Sequence, residues 1–229
     1  MQSLRLGVIA AGFCAALATH EASAFVIDTF EHTQAVSAVA SVGSSTESPV
    51  SGAVFAERTL SATRVSGTGS VQVGINAAAS GTLDYATSFD TLGFATISYT
   101  AAGGGDITPG ADLTASNSLT HFGISIINGD FPVGLTLTVR DTDSNSFSML
   151  QNSPVMALND FVSFEFAEFR SAGVDLRSVE FLSLRIESPN PNTNFVASEF
   201  LTFHATAPTP GTVTLLALGL IGMGTLRKY

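Results

Sequence analysis

The chain has 229 residues, 45% of them hydrophobic, with a formal net charge of −10 and a single cysteine, Cys14. One cysteine rules out a disulfide framework. Between Phe25 and Pro210 stand 18 acidic residues against 6 arginines and no lysine, a balance that repels nucleic acid and anionic membrane surfaces and disfavours both as partners.

The first 24 residues read as an export signal. Arg5 precedes an apolar stretch, Leu6 to Ala18, that is too short to cross a bilayer core of ~30 Å and suits a signal-peptide core. The small-x-small end Ala22-Ser23-Ala24 predicts cleavage before Phe25. Phe13 directly before Cys14 argues against a lipidated cysteine.

From Phe25 onward the chain is rich in Ser, Thr, Val, Phe and Gly, which suit pleated, half-buried strands. Phe25 to Glu31 is the first expected strand. Turn residues recur at Ser48-Pro49, at Gly67-Thr68-Gly69 and at Gly103-Gly104-Gly105, with the longest loop over 103–117. Phe122, Ile124 and Ile126 alternate, and Leu135, Leu137 and Val139 do so after Asn128-Gly129. Asn-Gly between two such runs predicts a hairpin, with Pro132 at a kink or at the late start of its second strand. Val162, Phe164 and Phe166 alternate next, and Phe166 to Val174 is expected to be a turn or loop although a helix is tolerated there. In the following run Val179 and Phe181 fall on one face, and Leu182, Leu184 and Ile186 on the other. That one-residue phase shift points to a bulge or to a strand buried on both sides. After a turn at Ser188 to Asn192, Phe195 to Phe203 is the last strand.

Short alternating strands with frequent turns predict an all-β, antiparallel β-sandwich over residues 25–204. The opening Phe25-Val26-Ile27-Asp28-Thr29-Phe30-Glu31 and the late Val174 to Leu184 resemble strands of jelly-roll sandwiches of the galactose-binding and carbohydrate-binding-module type, favoured over an immunoglobulin-like sandwich. That resemblance implies a structural calcium between first and last strands, with Asp28 and Glu199 as candidate ligands.

No catalytic site is legible. His32, His121 and His204 sit in no recognised motif, and there is no G-x-S-x-G elbow, H-E-x-x-H pair or phosphate loop. The chain is therefore read as non-enzymatic, without a cofactor, and a triad assembled from distant positions stays as a minor alternative. Asp141, Asp143 and Asn145 have the D-x-D-x-N spacing that lets oxygens converge on calcium. Ser146 stands where that loop needs Gly, and Asn152 where it needs Glu, so an Asx-rich hairpin turn is the competing reading. With no Trp, and only Tyr85 and Tyr99 in the domain, strong sugar stacking is disfavoured.

The C-terminus carries the strongest signal. Pro208-Thr209-Pro210-Gly211 is followed by a charge-free apolar run to Leu226, then Arg227-Lys228-Tyr229. The apolar part is short for a permanent span, and the basic end stops it with that end inside. These features resemble a PEP-CTERM sorting signal, the exosortase substrate motif of Gram-negative bacteria that make exopolysaccharide, with Thr209 where the family has Glu. The resemblance implies domains 1–24 (signal peptide), 25–204 (sandwich) and 205–229 (sorting signal with a transmembrane helix). It implies signal peptidase and an exosortase-type transpeptidase as processing partners, and transient membrane association. The resting place would be the cell surface, outer envelope or extracellular matrix, where exopolysaccharide is a further candidate partner. The role would be structural or adhesive. The alternative is a calcium- or glycan-binding module retained at the membrane by its tail.

Overall fold

The structure, a computed structural model, describes residues 24–39, 41–48, 50, 53–77, 79–100, 110–154 and 158–205. The predicted signal segment up to Ser23 and the sorting motif at 208–211, with Arg227 and Lys228, lie outside the described residues.

Two antiparallel sheets pack face to face as a jelly-roll sandwich. The seven-stranded sheet contains β1 (Ala24–Asp28), β2 (Gln34–Ala38), β5 (Val71–Ile75), β6 (Leu83–Thr87), β8 (His121–Gly129), β11 (Leu158–Glu165) and β13 (Asn194–Phe203). The six-stranded sheet contains β3 (Val42–Glu47), β4 (Glu57–Ser66), β7 (Leu92–Thr100), β9 (Gly134–Asp141), β10 (Ser146–Asn152) and β12 (Val179–Glu187). Their orders are β11-β8-β13-β6-β5-β2, with β1 also on β13, and β10-β9-β12-β7-β4-β3. Strand β13 is shared lengthwise: Asn194 to Ala197 pair with β6, and Phe200 to Phe203 pair with β1. Ala24 and Phe203 are direct partners, so the described chain enters and leaves the sandwich side by side.

The alternation read from the sequence sets the core. Leu135, Leu137, Val139, Phe122, Ile124, Ile126, Phe164, Leu182, Leu184 and Ile186 are all buried between the sheets. Each inward side chain loses its water-exposed apolar surface, worth about 1.5–3 kcal/mol for a Leu, Ile, Val or Phe. The expected bulge is present: the β12–β9 register shifts between Val179 and Phe181. The extra residue, Glu180, is 4% exposed and takes the Arg140 guanidinium on its carboxylate.

Two expectations are corrected. Asn128-Gly129 does not close a hairpin. β8 continues through both residues, pairing with β11 and β13, and the chain then crosses to the other sheet to start β9. Local turn chemistry was outweighed there by the partners available on both sides of β8. Phe166–Ser171 is a helix, α1, rather than a loop. Its Phe166 and Phe169 are buried against Phe122, with ring centroids at 4.6 and 5.4 Å. Aromatic packing holds a turn of helix that intrinsic propensity alone leaves undecided.

Candidate functional site

Asp141 ends β9 and organises the hairpin to β10. Its Oδ1 accepts the N–H groups of Asp143 (3.0 Å) and Asn145 (2.9 Å). Its Oδ2 accepts Asn145 Nδ2 at 3.1 Å and the Asp175 N–H at 2.8 Å. Burial pushes the Asp141 carboxyl up, yet these four donors outweigh it and hold the group below the ordinary carboxylate range. The D-x-D-x-N segment is thus an Asx-rich hairpin turn in which donors, not vacancies, surround the first carboxylate. Among the described residues no group of three or more His, Cys, Asp or Glu is placed to hold a metal.

Asp28 lies at the end of β1 with its carboxylate inside the sandwich. Arg58, on β4, donates from Nη1 to Asp28 Oδ2 at 2.7 Å, from Nε to Gln34 Oε1 at 3.0 Å and from Nη2 to the His32 carbonyl at 2.6 Å. The Tyr99 hydroxyl donates to Asp28 Oδ2 at 3.0 Å, and the Phe30 N–H to Oδ1 at 2.8 Å. That last bond holds Phe30 at φ 56°, a left-handed conformation uncommon for a non-glycine residue. Glu199 is half-buried on β13, one position before Phe200, the register partner of Asp28. The Asp28 carboxylate is already engaged by Arg58, Tyr99 and Phe30, and among the described residues Glu199 makes no bond to that network. Arg58 went unremarked in the sequence. Its signal is phase: it shares the period-two face of the buried Leu60 and Ala62.

The histidines are dispersed. His32 has a buried Nδ1 without a hydrogen-bond partner among the described residues, and His204 is exposed. His121 Nδ1 meets Thr120 Oγ1 at 2.8 Å, while Glu165 stands 4.0 Å from Nε2, beyond hydrogen-bond reach. The Thr120 hydroxyl also accepts the Ala205 N–H at 3.1 Å, so it fastens the end of the domain. Ala24 opens β1 and Phe25 is half-buried against the core, where the predicted cleavage would start the mature chain.

The outer face of the seven-stranded sheet bears an open groove of about 460 Å³ across β2, β5 and β6. Its walls are Ala35, Ser37, Gln72, Asp84 and Ala86, and its floor includes Gly74. A Cβ on Gly74 would come within 2.9 Å of the Ala77 methyl, so the glycine keeps the floor low. Asp84 Oδ2 accepts from Thr82 Oγ1 at 3.0 Å, and the side chain is half-buried at the groove. Just beyond Ala86, the turn after β6 presents Phe89 at 84% exposure. That turn is fixed: Asp90 Oδ2 accepts the Thr68 hydroxyl at 2.6 Å and its N–H at 3.1 Å. These bonds from Thr68 pull the Asp90 carboxyl down to about 2. Phe89 therefore presents an exposed apolar ring on a hydrogen-bonded turn, which a count of aromatics did not reveal.

No family model matches the chain, and no curated protein matches it. Among solved structures it is similar to the family 11 carbohydrate-binding module from Clostridium thermocellum in complex with a β-1,3-1,4-mixed-linked tetrasaccharide. The identity is 14% over 80% of this chain and 96% of that one, with a TM-score of 0.38. The family 11 module of a cellulosomal cellulase from the same organism matches at 14% identity, covering 82% and 98% of the two chains, with a TM-score of 0.40. An exo-β-agarase matches at 10% identity over 81% of this chain and 26% of its own, with a TM-score of 0.42.

Proposed function

We propose that the chain is an exported, non-enzymatic protein of the cell surface or exopolysaccharide matrix, with a structural or adhesive role. Signal peptidase cuts after Ala24, and an exosortase-type enzyme acts at Pro208-Thr209-Pro210-Gly211 while the apolar helix and Arg227-Lys228 hold the tail in the membrane. The observation that carries this reading is the sequence of the tail, which has paired prolines, an apolar run and a basic end in that order. The fold is compatible with it: the strands of the sandwich run from Ala24 to Phe203, and both proposed signals fall outside that stretch of the sequence. The test is the intact mass of the protein from its host, by cell fraction. A chain from Phe25 to the region of Pro208–Gly211 in the surface or matrix fraction is expected. A mass that still includes Tyr229 in the membrane fraction would make the tail a plain anchor. Replacing Arg227 and Lys228 together by Glu removes the basic stop, and unchanged maturation of that variant would also sink the assignment.

The groove on the seven-stranded sheet favours a second reading, a glycan-binding module. Gln72 and Asp84 offer a donor and an acceptor for sugar hydroxyls, and Phe89 offers a ring face. Calorimetric titration with the host's own exopolysaccharide, repeated on Gln72→Ala and Phe89→Ala, tests it; binding unchanged in both variants rules the groove out.

A further inference from the structure

The six-stranded sheet ends on β10 at one side and β3 at the other. A terminal strand presents unpaired N–H and C=O groups, which natural proteins guard with charge, proline or a covering element. The seven-stranded sheet is guarded at one edge. Its edge strand β11 carries Asp160 and Glu165. Its other edge strand, β2, is uncharged and shares its side of the sandwich with β3, where Gln34 Nε2 donates to the Ser45 carbonyl at 2.8 Å. Among the described residues the six-stranded sheet has no such guard along either edge. β10 reads Ser-Phe-Ser-Met-Leu-Gln-Asn, with no charge and no proline. β3 reads Val-Gly-Ser-Ser-Thr-Glu, with its one charge at the last position. Exposure alternates along both, so Val42, Ser44 and Thr46 share the outer face of β3, and Ser146, Ser148 and Leu150 that of β10. Val42 and Leu150 are 64% and 60% exposed.

Two geometric features make these edges complementary. Every pair of neighbours in the sheet is antiparallel, and the sheet has six strands, an even number. β10 and β3 therefore run in opposite directions. A second copy placed alongside in the same orientation brings its β10 antiparallel to β3 of the first. The free backbone groups also match. Arg64 N donates to the Ser41 carbonyl, and Asp141 N to the Asn145 carbonyl. By the alternation of an antiparallel ladder, odd-numbered residues of β3 bond to β4 and odd-numbered residues of β10 bond to β9. Val42, Ser44 and Thr46 on one edge, and Ser146, Ser148 and Leu150 on the other, are then the residues whose N–H and C=O point outward.

We propose that copies of this protein join edge to edge, β3 of one to β10 of the next, with Val42 opposite Leu150, Ser44 opposite Ser148 and Thr46 opposite Ser146. Each pair exchanges two backbone bonds, about six per junction. Apolar meets apolar and hydroxyl meets hydroxyl on the outer face. On the inner face the larger Met149 and Phe147 fall opposite Gly43 and Ser45. The junction is heterologous: each copy spends one edge and leaves the other open, so association extends as a filament. It rests on the sheet edges alone and is independent of the sorting reading.

The test uses the exported protein carrying Val42→Cys and Leu150→Cys together. Cys14 is replaced by Ser in every variant, so that no native thiol competes whether or not the leader has been removed. Mild oxidation of the double variant is expected to give a ladder of covalent multimers. Each single variant should stay at the mass of one chain, and an equal mixture of the two should stop at the dimer. Adding Ser148→Lys puts a charge on the exposed edge and should cut the multimer yield at least tenfold while leaving the circular dichroism spectrum unchanged. Absence of a ladder, dimerisation of either single variant by itself, or a ladder indifferent to Ser148→Lys overturns the proposal.

Discussion

Arg58 and Asp28 form an ion pair at 2.7 Å with both side chains at 0% exposure. The pair ties β1 to β4, and through Gln34, the His32 carbonyl and Tyr99 it also engages β2, the turn before it, and β7. Burying two charges is costly, and the attraction offsets that cost only when the groups find further hydrogen bonds; here each guanidinium nitrogen and each carboxylate oxygen has a partner. Removing one partner strands the other: Arg58→Ala and Asp28→Ala should each lose about 3–5 kcal/mol in urea unfolding. The double variant should lose less than the sum, because the stranded charge is gone. Arg58→Lys should rescue little, since one ammonium cannot reproduce three donors in a fixed plane. A fully additive double variant would contradict the coupling.

The Asp141 turn bears on calcium. A cation there must displace four N–H donors already aimed at the carboxylate. Melting temperatures in millimolar calcium and in chelator are therefore expected to coincide, whereas a site at a hundred times its Kd would add about 2.7 kcal/mol. Asp141→Ala should lower stability equally in both solutions, by about 1–3 kcal/mol for the orphaned donors.

Stability should depend on pH at both extremes, with signs fixed by the shifts. Asp90 is lowered from 3.8 to about 2 by its bonds from Thr68, and Asp141 is also lowered. The unfolded chain takes up protons first as pH falls, so this contribution is complete above the ordinary carboxylate range and fades from about 4 towards 2. Burial raises Tyr85 from 10 to about 12, while its hydroxyl donates to the Gly93 carbonyl at 2.8 Å. Burial also pushes Tyr99 well above its usual value, with Asp28 adding to the effect. The unfolded tyrosines lose protons first, so their contribution is complete below pH 10 and fades as pH rises towards 12. Denaturant midpoints across pH 2 to 12 should trace a plateau with a fall at each end. Asp90→Asn should flatten the acid limb, and Tyr85→Phe the alkaline one.

The sandwich was legible because period-two patterns such as Leu135, Leu137 and Val139 report burial directly. The bulge at Glu180 was legible for the same reason, as a break in that period. Pairing was not. Asn128-Gly129 carries a local hairpin signal, but the partners of β8 are 30 or more residues away in sequence, on β11 and β13. Buried polar groups were harder still. Nothing in the composition around Arg58 distinguishes a solvated arginine from one enclosed by Asp28 and Gln34; only its phase with Leu60 does. The exposed Phe89 depends on a turn geometry set by Asp90 and Thr68, and the groove on the pairing of β2, β5 and β6, neither of which periodicity records.

Helix α1 shows how a short element is held against its own propensities. Glu165 at its N-cap makes no side-chain capping bond, and the helix spans six residues, too few to persist on propensity alone. What holds it is Phe169, fully buried between Phe122 at 5.4 Å and Phe147 at 5.5 Å. Phe169→Ala opens a cavity at the meeting of β8 and β10, and should cost about 3–5 kcal/mol. Ala167 is exposed on the same helix, so Ala167→Gly tests propensity without touching the packing and should cost about 1 kcal/mol or less. Hydrogen exchange separates the two effects. Phe169→Ala should release the amides of Ala172 and Gly173, which donate to Glu168 and Arg170, well before global unfolding, whereas Ala167→Gly should leave them protected. Equal costs for the two substitutions would mean that backbone preference, and not the aromatic contact, forms the helix.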